Sequence, residues 1–158
     1  GIHGAVQGHH KSTEDEIIMS FDVASMYPNI AIANNVYPEH LNRSFCKSYQ
    51  DFYNERKKFA KGTAENLAIK LGLNATYGNS NNKYSPFYDP KYTMSITING
   101  QLSLTMLMEK LVQKFNVKMC MLNTDGLEFI VKRKYLDAVN ELVSKWEKWV
   151  GLQMEGVF

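Results

Sequence analysis

The first sustained apolar run, residues 17–21 (IIMSF), is short and preceded by acids, the pattern of a buried strand. It runs directly into Asp22, and Pro28 ends regular strand geometry soon after. Residues 30–33 begin a short covering helix, and Asn34, Asn35 and Pro38 mark a loop. Residues 49–60 (YQDFYNERKKFA) are charged and free of Pro and Gly, which predicts a helix ended by Lys61-Gly62. Thr63 then suits an N-cap, with Glu65 in the first turn of a helix over 64–77 that carries Leu67, Ile69, Leu71 and Leu73. These two helices are expected to lie antiparallel, joined by a tight Lys-Gly turn. A polar loop follows at 78–82. Residues 93–115 predict a longer helix, with Leu102, Leu104, Leu107, Met108, Leu111 and Val112 at helical spacing. Residues 117–122 (VKMCML) and 127–132 (LEFIVK) read as two strands of a hairpin whose turn is Asn123-Thr124-Asp125-Gly126, since Asp-Gly favours a tight reversal. An amphipathic helix over 135–149 completes the pattern. The class is α+β: an antiparallel sheet with helices packed on one face, plus a short two-helix hairpin.

A chain of 158 residues with 44% hydrophobic content suits one domain with room for one protruding subdomain, and excludes disorder. No stretch approaches a membrane span, and GIHGAVQGHH lacks the basic-then-apolar order of a secretory signal. Cys46 and Cys120 stand in no metal or redox spacing, so reduced thiols in the cytoplasm are the expectation, the host cytoplasm if the source is a phage. The net charge of +2 says little about partners, but basic residues cluster at Arg56, Lys57, Lys58 and Lys61, and again at 132–134. With no initiator Met and an apolar final stretch, GLQMEGVF, the chain reads as a segment of a longer one.

Two carboxylates stand out. Asp22 ends an apolar strand, and Asp125 sits at the tip of an apolar hairpin. An acid at the rim of a buried sheet costs desolvation energy unless a cation or donor satisfies it. If their strands are neighbours, the pair suits two hard cations that clamp an in-line phosphoryl displacement. The plain alternative is a strand-end cap and ordinary turn chemistry. Glu128 is a further carboxylate, with an exposed strand position as its simpler role. Lys70, Asn74 and Tyr77 fall at i, i+4 and i+7, one helix face that offers a point charge, an amide and a ring to a triphosphate and base. A solvated face explains the same residues, and the Arg56 cluster, equally simply.

Together, three segments resemble the signature motifs of B-family DNA polymerases, in the family's order. Residues 22–29 (DVASMYPN) are similar to D-x-x-S-L-Y-P-S, residues 70–78 (KLGLNATYG) to K-x-x-x-N-S-x-Y-G, and residues 123–126 (NTDG) to D-T-D-G. Residues 55–58 resemble the first fingers helix, and 152–158 (LQMEGVF) the strand after the palm helix. The resemblance implies a palm over 1–46 and 79–158 with fingers over 47–78. It implies a DNA-directed DNA polymerase that adds deoxynucleotides to a primer 3′-hydroxyl. Asp22 and Asp125 would hold two Mg2+ ions, or Mn2+, helped by the Val23 carbonyl. The backbone of Ser25 and Met26 would meet the triphosphate of the dNTP. Tyr27 would be a steric gate against ribonucleotides, and Arg56, Lys70 and Asn74 would grip phosphates. Tyr77, Gly78 and Thr124 would lie against primer-template DNA. The family's exonuclease and thumb regions would be the missing parts of the parent chain.

Three departures matter. Asn123 stands where the family has an acid, leaving the metals to Asp22 and Asp125. Ala60 stands where some relatives carry a second phosphate-binding Lys, with Lys61 beside it. The fingers are short, as in phage or mobile-element members. KRKY at 132–135 mimics the family's later K-K-x-Y element but falls too early, so it reads as a strand end and helix start. Rival readings are a metal-dependent nuclease and a non-catalytic nucleic-acid-binding palm decayed at Asn123. Protein or nucleic-acid priming, processivity and oligomeric state leave no mark on the sequence.

Overall fold

The computed structural model describes residues 3–157. Its elements run β1 (Gly4–Ala5), β2 (Glu16–Val23), α1 (Met26–Ala33), α2 (Ser44–Arg56), α3 (Ala64–Gly78), α4 (Pro90–Phe115), β3 (Lys118–Leu122), β4 (Gly126–Lys132), α5 (Leu136–Val150) and β5 (Met154–Val157). The chain divides into two compact units, one of residues 1–24 and 100–158, the other of residues 25–99. The α4 helix runs continuously through the division.

The first unit holds a five-stranded, wholly antiparallel sheet in the order β1-β3-β4-β2-β5. Its apolar runs are strands because every second residue is buried. Met19, Phe21 and Val23 on β2, with Leu127, Phe129 and Val131 on β4, are almost fully covered. Phe21 and Phe129 stack across the pair at 6.1 Å. The helical layer contributes Leu104, Leu107 and Leu111 of α4 and Val139, Leu142, Val143 and Trp146 of α5. Trp146 Nε1 donates to the Ser103 carbonyl at 2.8 Å and ties the two helices together. Gly151, with φ of +72°, ends α5 in the left-handed conformation. The expected α+β class is what the structure shows, and 132–135 does form a strand end and helix start, as Lys132 closes β4 and a 3-10 turn at Arg133–Tyr135 leads into α5. Strand β1 was not expected. It pairs Gly4 with Leu122 and Ala5 with Met121. The expected final strand is β5, although Phe158 lies outside the described residues.

The second unit packs α1, α2 and α3 around Tyr49, Leu73, Tyr92, Ile96 and Ile30. The α2 and α3 helices are antiparallel, since Tyr49 Oη donates to the Leu73 carbonyl at 2.6 Å while Arg56 Nε meets Asn66 Oδ1 at 3.2 Å. Thr63 caps α3 as expected, its Oγ1 accepting from the Asn66 N–H. Two expectations are corrected. The α2 helix begins at Ser44 and stops at Arg56, not Ala60. Residues 57–59 leave the α-helical register in i→i+3 bonds, and the Asn66 amide takes the carbonyls of Arg56 and Phe59. On α3, Leu67 and Leu71 are 54% and 60% exposed, while Asn66, Thr76 and the following Ser80 are buried.

Candidate functional site

Asp22 lies in β2 directly across from Gly126, the residue after Asp125. The Val23 N–H donates to the Asp125 carbonyl at 2.6 Å, which locks the turn of the β3–β4 hairpin to the end of β2. Two acids far apart in sequence are thereby brought together. Desolvation, then the nearby charges of Asp125 and of Glu155, hold the Asp22 carboxyl above the usual carboxylate range. Glu155 is the cross-strand neighbour of Asp22 on β5. It went unnoticed in the sequence because nothing local marks its register. Glu128 pairs with Ser20, further along β2, and its charge is felt by Cys120, whose thiol is pushed up by burial and then by that carboxylate.

The turn explains two residue choices. Asn123 Oδ1 accepts from the N–H groups of Asp125 (3.3 Å) and Gly126 (2.7 Å), and the Asn123 N–H donates to the Gly126 carbonyl (3.0 Å). The amide therefore builds the turn that presents Asp125, an Asx geometry in which one oxygen serves two donors. Gly126 is required for space. A Cβ there would overlap Asp22 Oδ1 and stand 2.7 Å from the Phe21 carbonyl. Thr124, expected to touch DNA, is half-buried, with its Oγ1 3.3 Å from His3 Nε2.

Carboxylate oxygens are hard donors that suit Mg2+ or Mn2+. Among the described residues no group of three or more His, Cys, Asp or Glu could hold a metal ion. The donor set is a pair of acids with the Val23 carbonyl close by in sequence. That fits ions that keep water and substrate phosphate as their other ligands.

In the second unit, Ser25 precedes α1 with φ of 46° and ψ of 54°, the left-handed region that a residue with a Cβ rarely occupies. Its carbonyl accepts from the N–H and the side-chain amide of Asn29, both at 3.1 Å. Its hydroxyl does not cap the helix, and instead accepts from Arg56 Nη1 at 2.6 Å. Met26 is buried, and Tyr27 stacks on Tyr77 with centroids 3.9 Å apart and planes at 14°. Tyr77 Oη is bonded to Thr97 Oγ1 at 2.7 Å. Lys70, Asn74 and Gly78 are exposed along α3, so the expected stripe is split: the lysine and amide face solvent, and the phenol faces Tyr27. Asn66, buried and bonded to Arg56, was missed. As a polar residue in a polar helix start, it gave no signal.

No family model matches the chain. The sequence is 25% identical to a DNA polymerase of Thermococcus sp. (strain 9oN-7) over 98% of the chain, and 26% identical to one of Pyrococcus glycovorans over 90%. The chain is homologous to archaeal DNA polymerases. The fold is also similar to part of the family B DNA polymerase from the hyperthermophilic archaeon Pyrobaculum calidifontis, with a TM-score of 0.55, 16% identity and 96% of the chain covered. The chain spans about a quarter of these polymerases, 24% of the two sequence relatives and 26% of the structural one. No helix among the described residues is long and apolar enough to cross a membrane.

Proposed function

We propose that this chain supplies the palm (1–46 and 79–158) and fingers (47–78) of a template-directed DNA polymerase, adding deoxynucleotides to a primer 3′-hydroxyl. The observation that carries the reading is the adjacency of Asp22 and Asp125, with Asp22 paired to Gly126 and the Val23 N–H bonded to the Asp125 carbonyl. Repulsion between acids at a sheet rim is relieved by a cation.

Asp22, Asp125 and the Val23 carbonyl would hold two Mg2+ or Mn2+ ions. When bound, these supply charge neutralisation to the transferring phosphoryl group. The left-handed Ser25 and the first helical residue, Met26, would offer backbone N–H groups to the triphosphate of the dNTP. Arg56, Lys70 and Asn74 grip its phosphates. Tyr27, backed by Tyr77, presents a flat wall to the sugar and rejects a 2′-hydroxyl. Tyr77, Gly78 and Thr124 meet primer-template DNA. The primer oxygen bonds to the α-phosphorus as the bond to the pyrophosphate leaving group breaks, so catalysis is positioning plus charge compensation.

The test is Mn2+ binding followed by electron paramagnetic resonance, with and without a dNTP, alongside single-turnover extension of a primer-template. Wild type should bind two ions with dNTP present, and Asp22→Asn and Asp125→Asn should each lose at least one. Binding undiminished in the double variant overturns the reading.

A further inference from the structure

We propose that Asn66 is a positioning residue that aims Arg56 at the triphosphate of an incoming nucleotide. This rests on the function proposed above.

Asn66 is 7% exposed, and its side chain makes three contacts at once. Its Oδ1 accepts from Arg56 Nε at 3.2 Å, and its Nδ2 donates to the carbonyls of Arg56 (3.2 Å) and Phe59 (3.0 Å). Three of the four hydrogen bonds available to a primary amide are thus directed at Arg56 and the turn after it. The same amide ends α2 at Arg56 and fixes the root of its guanidinium. A free arginine side chain gives up rotamer entropy when it binds. Held at Nε, Arg56 has already lost much of that freedom, while Asn66 leaves its Nη groups to other partners. Nη1 reaches the hydroxyl of Ser25, the residue with the left-handed backbone.

The chemistry of the clamp points to an anion. Asn66 and Ser25 are both neutral, so the guanidinium is oriented while its full positive charge is retained. An aspartate in place of Asn66 would still accept from Nε but would cancel that charge and lose the donors to the Arg56 and Phe59 carbonyls. A purely structural arginine gains from a carboxylate partner, whereas a neutral holder leaves the charge uncompensated for an incoming anion. The ligand class is a nucleoside triphosphate, since the guanidinium and the Ser25 turn meet in one place and both suit phosphate oxygens.

The experiment has two arms. In the first, the 15N-labelled chain is followed by NMR at the Arg56 Nε–Hε signal, assigned by its loss in Arg56→Lys. Wild type should show slow Hε exchange, Asn66→Ala exchange at least tenfold faster, and Asn66→Asp protection retained. In the second, Mn2+-supported binding of a fluorescent deoxynucleoside triphosphate is measured. Asn66→Asp, which keeps the acceptor for Arg56 Nε but loses the two Nδ2 donors, should weaken binding about tenfold, as should Asn66→Ala. In an Arg56→Ala background neither change should add more than twofold, because Asn66 acts through Arg56. Unchanged Hε exchange in Asn66→Ala, full binding by Asn66→Asp, or losses that add to Arg56→Ala would each overturn the positioning role. Failure of wild type to bind the nucleotide with Hε still protected would instead overturn the proposed function.

Discussion

Replacing Gly126 by alanine tests how closely the hairpin approaches β2. The added Cβ would meet two groups, the Asp22 carboxylate and the Phe21 carbonyl at 2.7 Å. The carboxylate can rotate aside at modest cost. The carbonyl belongs to the β2 backbone beside the Asp22–Gly126 pair, so relief there means spreading the strands. Inserting a methyl group into a tight site costs about 1–3 kcal/mol. At about 2–4 °C per kcal/mol for a chain of this size, melting should fall by roughly 2–12 °C. The assay is thermal unfolding by circular dichroism with and without Mn2+, repeated in an Asp22→Ala background. Removing the carboxylate should recover part of the loss and leave the carbonyl's share, a coupling of about 0.5–3 kcal/mol. The ion-dependent rise in melting temperature should also shrink in Gly126→Ala, because Asp22 has been turned away. A variant that melts within 1 °C of wild type and keeps its full response to Mn2+ would refute the argument.

Without divalent ions, Asp22→Asn should stabilise the fold at neutral pH. The Asp22 pKa is raised above its ordinary 3.8, so wild type loses stability as pH rises through the window between 3.8 and the folded value, and the variant does not. Urea unfolding in chelator from pH 3.5 to 7 reads this directly, and curves that stay parallel would count against it. Asn123→Asp keeps an acceptor for the Asp125 and Gly126 N–H groups and should hold its melting temperature while binding Mn2+ more tightly. Asn123→Ala loses both bonds at about 1 kcal/mol each, and equal stability of the two variants would contradict the turn assignment. Tyr27→Ala should raise ribonucleotide incorporation at least tenfold in primer extension, and Tyr77→Ala, which removes its stacking partner, should do so more weakly; unchanged sugar selectivity in Tyr27→Ala dismisses the gate.

The sheet was largely legible because burial of one face imposes alternation. The runs 17–21 and 127–132 announce β2 and β4, and the Asp-Gly turn joins the right strands. Strand β1 was not legible, since Gly4 and Ala5 pair through backbone alone and carry no apolar signal. On α3 hydropathy misleads. The helix buries Asn66, Thr76 and the adjoining Ser80, whose polar atoms are satisfied by Arg56, by the Gly72 carbonyl and by Tyr77 and Thr93. It leaves Leu67 and Leu71 in solvent. A fully bonded polar group is as much at home in a core as a leucine. The end of α2 was misjudged for the same reason, because a side chain ten positions away took the carbonyl that would have continued the helix. Of the site, Asp22 and Asp125 stood out by their apolar context, but Glu155 depends on strand register that no local pattern reveals.

Strand β2, second from one edge of the sheet, is hydrogen-bonded on one side to β4 and on the other to β5, the last of the described strands. Until Met154–Val157 has been made, the flank of β2 that carries the Asp22–Glu155 pair stays open. Pairing strands so far apart in sequence closes a large loop, and non-local contacts of this kind slow folding. A truncation before Met154 would expose the Asp22 edge of β2 to any extended peptide nearby, so aggregation should track the presence of β5.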